Sequence, residues 1–74
     1  MPESVLARRR RIGEQIRAAR LERNLTQERV AERANGMDRA TYVNIERGKS
    51  SPLLDSLILI ADAIGVPLSY LVRD

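Results

Sequence analysis

Neither cysteine nor histidine occurs in this 74-residue chain. Their absence excludes a disulfide framework and the usual structural zinc sites, so no metal site is expected and stability must come from packing. The chain also lacks paired carboxylates in a plausible cleft and a phosphate-binding glycine loop. That leaves no constellation for acid-base, nucleophilic or metal chemistry, and neither an enzyme, a cofactor nor a small-molecule ligand is expected. Long apolar runs are missing too. The longest, Leu57 to Ala61, is far below a membrane span, and the N-terminus has no uninterrupted apolar region of the signal-peptide kind. No membrane association and a cytoplasmic location follow as expectations.

What is present suits one small domain, residues 1–74, near the size at which a single core is only marginally stable. Self-association would help such a chain, and a domain that fills it leaves no room for a separate sensing unit. The net charge of +3 is modest, but its distribution is uneven: residues 1–49 hold 12 basic and 7 acidic side chains, whereas residues 50–74 hold 1 and 3. A basic half is the footprint expected of a phosphate-binding surface, although a solvated helical surface is also rich in Arg and Glu.

Along the chain, Pro2-Glu3-Ser4 opens a first helix in which Val5, Ile12, Ile16 and Ala19 recur at helical spacing as far as Arg23-Asn24. Arg8 to Arg11 place four positive charges around one turn of it. Residues 1–11 therefore read as a basic extension with Arg10 and Arg11 as phosphate contacts, or as a solvated helix face. In LTQERVAERANGMDRATYVNIERG (residues 25–48), Thr26 is an N-cap candidate, and Leu25, Val30, Ala31 and Ala34 form an apolar stripe. Asn35-Gly36 ends that helix and Asp38 caps the next, on which Tyr42 and Ile45 face one way and Arg39, Ala40, Val43 and Asn44 another. Two short helices joined by a tight turn can hold the second in the DNA major groove. Gly48 to Pro52 is a loop, with Pro52 suited to the first position of a further helix. Leu54, Leu57, Ile60, Ala61 and Ile64 then give an apolar face that stops at Gly65, and Pro67, Leu68 and Leu71 begin a last short helix. The architecture expected is all-α, a compact bundle of five helices containing a helix-turn-helix.

With these residues in place, the chain resembles the Cro and phage-repressor type of helix-turn-helix regulators, also called the xenobiotic-response-element family. The stretches that carry the likeness are IGEQIRAAR, LTQERVAERA, NIERGKSSP and LILIADAIGVPLSYL, in this order, between Ile12 and Val72. The resemblance implies a lambda-repressor-like DNA-binding domain with a recognition helix over residues 39–47. It implies that Gln27 touches a backbone phosphate while bracing that helix, and that Arg39, Ala40 and Asn44 reach base edges. Arg can pair with guanine, Asn with adenine, and Ala or Val43 can meet a thymine methyl. It further implies an Arg20–Glu46 ion pair as a structural strut, and a phosphate grip from Arg47, Gly48 and Lys49. Alternative roles stay open: a capping amide for Gln27, a phosphate contact or solvated arginine for Arg39, and a left-handed helix stop for Gly48.

From Ala34 to Arg39 the chain has one residue more than the family's usual Ala-Gly-Val-Ser-Arg. The addition either lengthens the second helix or shifts the recognition helix. The final third is more apolar than one face needs, since Ile58 and Leu59 follow Leu57 directly and Tyr70 and Val72 lie beyond. A two-fold homodimer through Ile58, Leu59, Tyr70 and Val72, within dimerisation helices over residues 53–74, is expected on a pseudo-palindromic double-stranded DNA operator. The expected function is a sequence-specific transcriptional regulator. The alternatives are an antitoxin-type protein with a protein partner and secondary DNA binding, and a restriction-modification controller protein.

Overall fold

The computed structural model describes residues 2–74, and among them five helices and no strand are found. They are α1 (Glu3–Glu22), α2 (Gln27–Arg33), α3 (Arg39–Glu46), α4 (Leu54–Ile64) and α5 (Leu68–Leu71). Their ends follow from local chemistry. Thr26 Oγ1 accepts from Arg29 N at 3.0 Å, and Asp38 Oδ2 accepts from Thr41 N at 3.3 Å, so both motif helices carry side-chain N-caps. Gly65 closes α4 in the left-handed region, with φ of 91°, where a side chain would be strained.

The core is aliphatic around one tyrosine. Ile16 and Ala19 of α1, Val30 and Ala31 of α2, Tyr42 and Ile45 of α3, Ile60 and Ile64 of α4, and Leu71 of α5 are all buried. α1 lies against α3 and α5, and α2 lies against α3 and α4. This arrangement buries the inner face of α3 and leaves its outer face at the surface.

The added turn residue neither lengthens α2, which ends at Arg33, nor leaves the turn loose. Asn35 and Gly36 are both left-handed, with φ of 60° and 70°. They fold the chain back so that Gly36 N donates to Glu32 O at 3.1 Å and Met37 N to Ala31 O at 2.9 Å. Met37 is thereby drawn against the core, and Asp38 is set to cap α3. Asn, one of the few residues besides Gly that tolerates this region, makes the longer turn possible.

Two expectations about α4 are corrected. Pro52 does not start the helix: it stays in the loop, and α4 begins at Leu54 after an extended Leu53. Leu54 does not join the buried face but is 62% exposed, because burial on α4 is concentrated in its last two turns at Ile60, Ala61, Ala63 and Ile64.

Candidate nucleic-acid interface

The site is built on α3, whose two faces differ sharply. Its inner face, Tyr42, Ile45 and Glu46, is buried, while Arg39, Ala40, Thr41 and Asn44 are exposed and Val43 is half-buried. Arg39, Ala40, Val43, Asn44 and Arg47 line one shallow groove on the outer surface. The structure thus brings together the four residues named from sequence as base-reading candidates, with Arg47 beside them. Thr41, exposed in the first turn, is a polar neighbour that sequence reasoning did not single out.

A buried polar network fixes the inner face. Arg20 of α1 donates from Nε to Glu46 Oε2 at 2.7 Å and from Nη2 to Glu46 Oε1 at 3.3 Å, and its Nη1 donates to Leu25 O at 2.9 Å. Gln27 of α2 donates from Nε2 to Glu46 Oε1 at 3.2 Å, and the Tyr42 hydroxyl donates to Glu46 Oε2. One carboxylate therefore receives bonds from three helices. The bidentate hydrogen bonds to Glu46 raise the Arg20 guanidinium above its ordinary pKa. Tyr42 is pushed well above its own, first by burial and then by its bond to the Glu46 carboxylate, so its hydroxyl keeps its proton as a donor. The Arg20–Glu46 ion pair is present, and Gln27 is bonded to the same carboxylate. The share of Tyr42 was missed, although its spacing of four residues from Glu46 on one helix face was the available signal.

A second contact sets the height of α1 over the end of α3. A Cβ added at Gly13 would lie 2.4 Å from Glu46 O and 2.7 Å from Ile45 O, and one at Gly48 would lie 2.9 Å from Arg10 Cα. Both glycines permit close backbone approach, and Gly48 is also left-handed at φ of 70°. Arg9 then donates from Nε to Gly48 O at 2.9 Å. Neither Gly13 nor Arg9 had been singled out. An isolated glycine inside a helical pattern was the signal for the first.

These bonds revise the phosphate grip expected of the loop. Gly48 is buried, its N–H donates to Ile45 O at 3.1 Å, and Lys49 N–H donates to Asn44 O at 2.9 Å. The two amides cap α3 rather than face outward, because the left-handed turn at Gly48 directs them back to the last carbonyls. Gly48 is thus a packing and capping residue. The exposed side chains of Arg47 and Lys49 remain at the surface, and the contact of Gly48 with Arg10 brings exposed Arg10 to the same place. Arg11 is exposed on the next position of α1.

Of the apolar residues expected at a dimer interface, Ile58 and Val72 are exposed, at 40% and 39%. Leu59 and Tyr70 are half-buried against the chain's own core, and the Tyr70 hydroxyl donates to Glu22 Oε1 at 3.4 Å. No helix is long and apolar enough to cross a membrane, and no acidic cluster suited to a metal occurs among the described residues.

A family model described as helix-turn-helix matches residues 16–71. The chain is 41% identical over 63 residues to the immunity repressor protein of Bacillus phage phi105, a match covering 85% of this chain and 43% of that protein. It is 42% identical over 59 residues to the cryptic phage CTXphi transcriptional repressor RstR of Vibrio cholerae, covering 80% of this chain and 52% of that one. The chain spans about half the length of these curated relatives. Among solved structures, the restriction-modification controller protein C.AhdI from Aeromonas hydrophila superposes with a TM-score of 0.84 at 28% identity, over 88% of this chain and 97% of that one.

Proposed function

Because the chain belongs to the helix-turn-helix family, we propose that it is a sequence-specific double-stranded DNA-binding transcriptional regulator, each copy of a homodimer setting α3 in the major groove. The observation that carries the proposal is the division of α3 into a face locked by the Glu46 network and an exposed face of Arg39, Ala40, Val43, Asn44 and Arg47. A helix that reads DNA must be rigid behind and chemically varied in front. On this reading Arg39 and Asn44 donate to base edges, and Ala40 and Val43 meet thymine methyl groups. Gln27, Arg10, Arg11, Arg47 and Lys49 hold phosphates, and Gln27 divides its amide between Glu46 and the backbone of the operator. Selection of bound sequences from a random duplex pool tests the proposal. Enrichment of one motif is the expected result, and an unenriched pool would rule out a sequence-specific regulator.

Two substitutions divide the roles. Arg39→Ala is expected to weaken the selected sequence by about 1 to 3 kcal/mol and to relax preference at one base position. An equal loss on random duplex would reassign Arg39 to phosphate. Lys49→Ala is expected to weaken every sequence alike and to reduce the salt slope by about one unit. An unchanged slope, measured by fluorescence anisotropy across a salt series, would remove Lys49 from the phosphate set.

The homodimer follows from the limited reach of one recognition helix, which touches too few base pairs for genomic selectivity. Exposed Ile58 and Val72, with Leu59 and Tyr70 beside them, are the proposed contact. Sedimentation equilibrium at tens of micromolar is expected to show dimer, and Ile58→Glu to shift it to monomer. A wild-type chain that sediments only as monomer would overturn this arrangement. The likeness to a restriction-modification controller protein favours a specific second version, regulation of a linked restriction gene pair, which the genes beside this one would reveal.

A further inference from the structure

Between the first turns of α1 and the loop after α3 lies a half-open groove of about 300 Å³ that the base-reading face does not use. Val5 and Ile12 of α1, Ile45 of α3 and Leu57 of α4 line it, and Arg8 and Arg9 stand among them. On α1 these residues fall at i, i+3, i+4 and i+7, which is one helical face. No carboxylate lines the groove. Apolar surface continues past it, because Leu53 and Leu54, 74% and 62% exposed, precede Leu57 by about one turn. The groove is small, and the adjoining leucines offer more surface than a small ligand would cover. An amphipathic helix laid into the groove and across these leucines fits that shape.

We propose that this groove docks an acidic amphipathic helix of another protein, its apolar anchors seated between Val5, Ile12 and Leu57 and its carboxylates facing Arg8 and Arg9. Charge selects this occupant. Arg8 is exposed and makes no ion pair among the described residues, and Arg9 spends its Nε on Gly48 O while its outer nitrogens remain available for a carboxylate. A basic helix would meet two guanidinium groups with no carboxylate in the groove to offset them.

The position of the groove has a consequence for DNA. Arg9 braces the Gly48 turn from which Arg47 and Lys49 project, and Arg10 is its neighbour. An acidic helix held there sets negative charge beside the residues assigned to phosphate. Partner and DNA therefore oppose each other, each weakening the other by the same factor. This antagonism rests on the DNA-binding function proposed above; the docking site does not.

The probe is a synthetic helical peptide of about 15 residues, long enough to be helical once docked, with leucines along one face and glutamates elsewhere. It is titrated into the isotope-labelled full chain by NMR. Saturable shifts concentrated at Val5, Ile12, Ser51 and Leu57 are expected. Val5→Glu and Arg8→Glu, both at exposed positions and checked for native helicity, are each expected to weaken the peptide by about tenfold or more. A peptide with lysine in place of glutamate is expected not to bind. Scattered shifts, equal binding of the lysine peptide, or unchanged affinity in both variants would overturn the docking site, as would decanoate shifting the same residues while the peptide does nothing. In the presence of its selected duplex, the chain is expected to release DNA as peptide is added. Simultaneous retention of both overturns the antagonism. A chain that takes the peptide but enriches no duplex sinks the DNA-binding function and leaves the docking site standing.

Discussion

Glu46→Ala is expected to destabilise the fold by about 3 to 5 kcal/mol, the cost of stranding a buried charge by removing its partner. The Arg20 and Glu46 side chains are only 9% and 2% exposed, so bulk water solvates the stranded guanidinium poorly. Three donors lose their acceptor together: the Arg20 guanidinium, the Gln27 amide and the Tyr42 hydroxyl. A small domain has only about 5 kcal/mol or somewhat more to lose, so the variant should be largely unfolded or close to it at room temperature. Urea unfolding followed by circular dichroism measures the loss. Tyr42→Phe, which keeps the ion pair and deletes one donor, is expected to cost less, about 1.5 to 3 kcal/mol for a bond to a charged group. An Glu46→Ala loss below about 1 kcal/mol, the scale of a solvent-exposed pair, would mean that the network is open to water in solution. The functional link is direct. Arg20 stands on α1, Gln27 on α2 and Tyr42 with Glu46 on α3, so this network is what orients α3, the helix proposed to enter the major groove, against the two helices behind it.

Much of this frame was legible because it depends on signals that are local in sequence. Thr26, Asp38 and Gly65 act as helix punctuation wherever the surrounding pattern is helical, and all three do so here. The outward set Arg39, Ala40, Val43 and Asn44 follows from Tyr42 and Ile45 being drawn inward, a matter of helical period alone. What could not be read concerns how helices distant in sequence meet. Arg8 to Arg11 are four identical residues, and nothing local says that Arg9 alone is turned to Gly48 O, 39 positions away. Leu54 belongs to the apolar stripe of α4 by spacing, yet none of the described residues lies over the first turn of that helix deeply enough to bury it. Gly48 read equally well as a phosphate grip and as a helix stop. The direction of its N–H toward Ile45 O, which makes the stop, is set by the fold.

Gly13→Ala should destabilise the fold by about 3 kcal/mol, the upper end of the range for overfilling a packed contact. Helix propensity alone predicts the opposite sign, since replacing glycine by alanine inside a helix stabilises it by roughly 0.5 to 1 kcal/mol. The contact decides because the added methyl would sit 2.4 Å from Glu46 O and 2.7 Å from Ile45 O, and neither atom belongs to a flexible side chain. Ile45 O is already held by Gly48 N–H, so the end of α3 cannot yield without losing its cap. The helices must therefore separate, and separation lengthens the Arg20–Glu46 bonds that depend on the same crossing. Two measurements check this. Chemical unfolding should show the loss of stability, and hydrogen exchange should show amides near the end of α3 opening sooner than those of α4. A stabilised Gly13→Ala variant would mean that the two helices do not cross this closely in solution. Coupling gives a sharper result. Because Gly13 supports Glu46 through its backbone and Tyr42 supports it through its hydroxyl, the double variant Gly13→Ala with Tyr42→Phe, milder than one built on Glu46→Ala, should lose less than the sum of the two single losses, by more than the roughly 0.5 kcal/mol expected of independent sites.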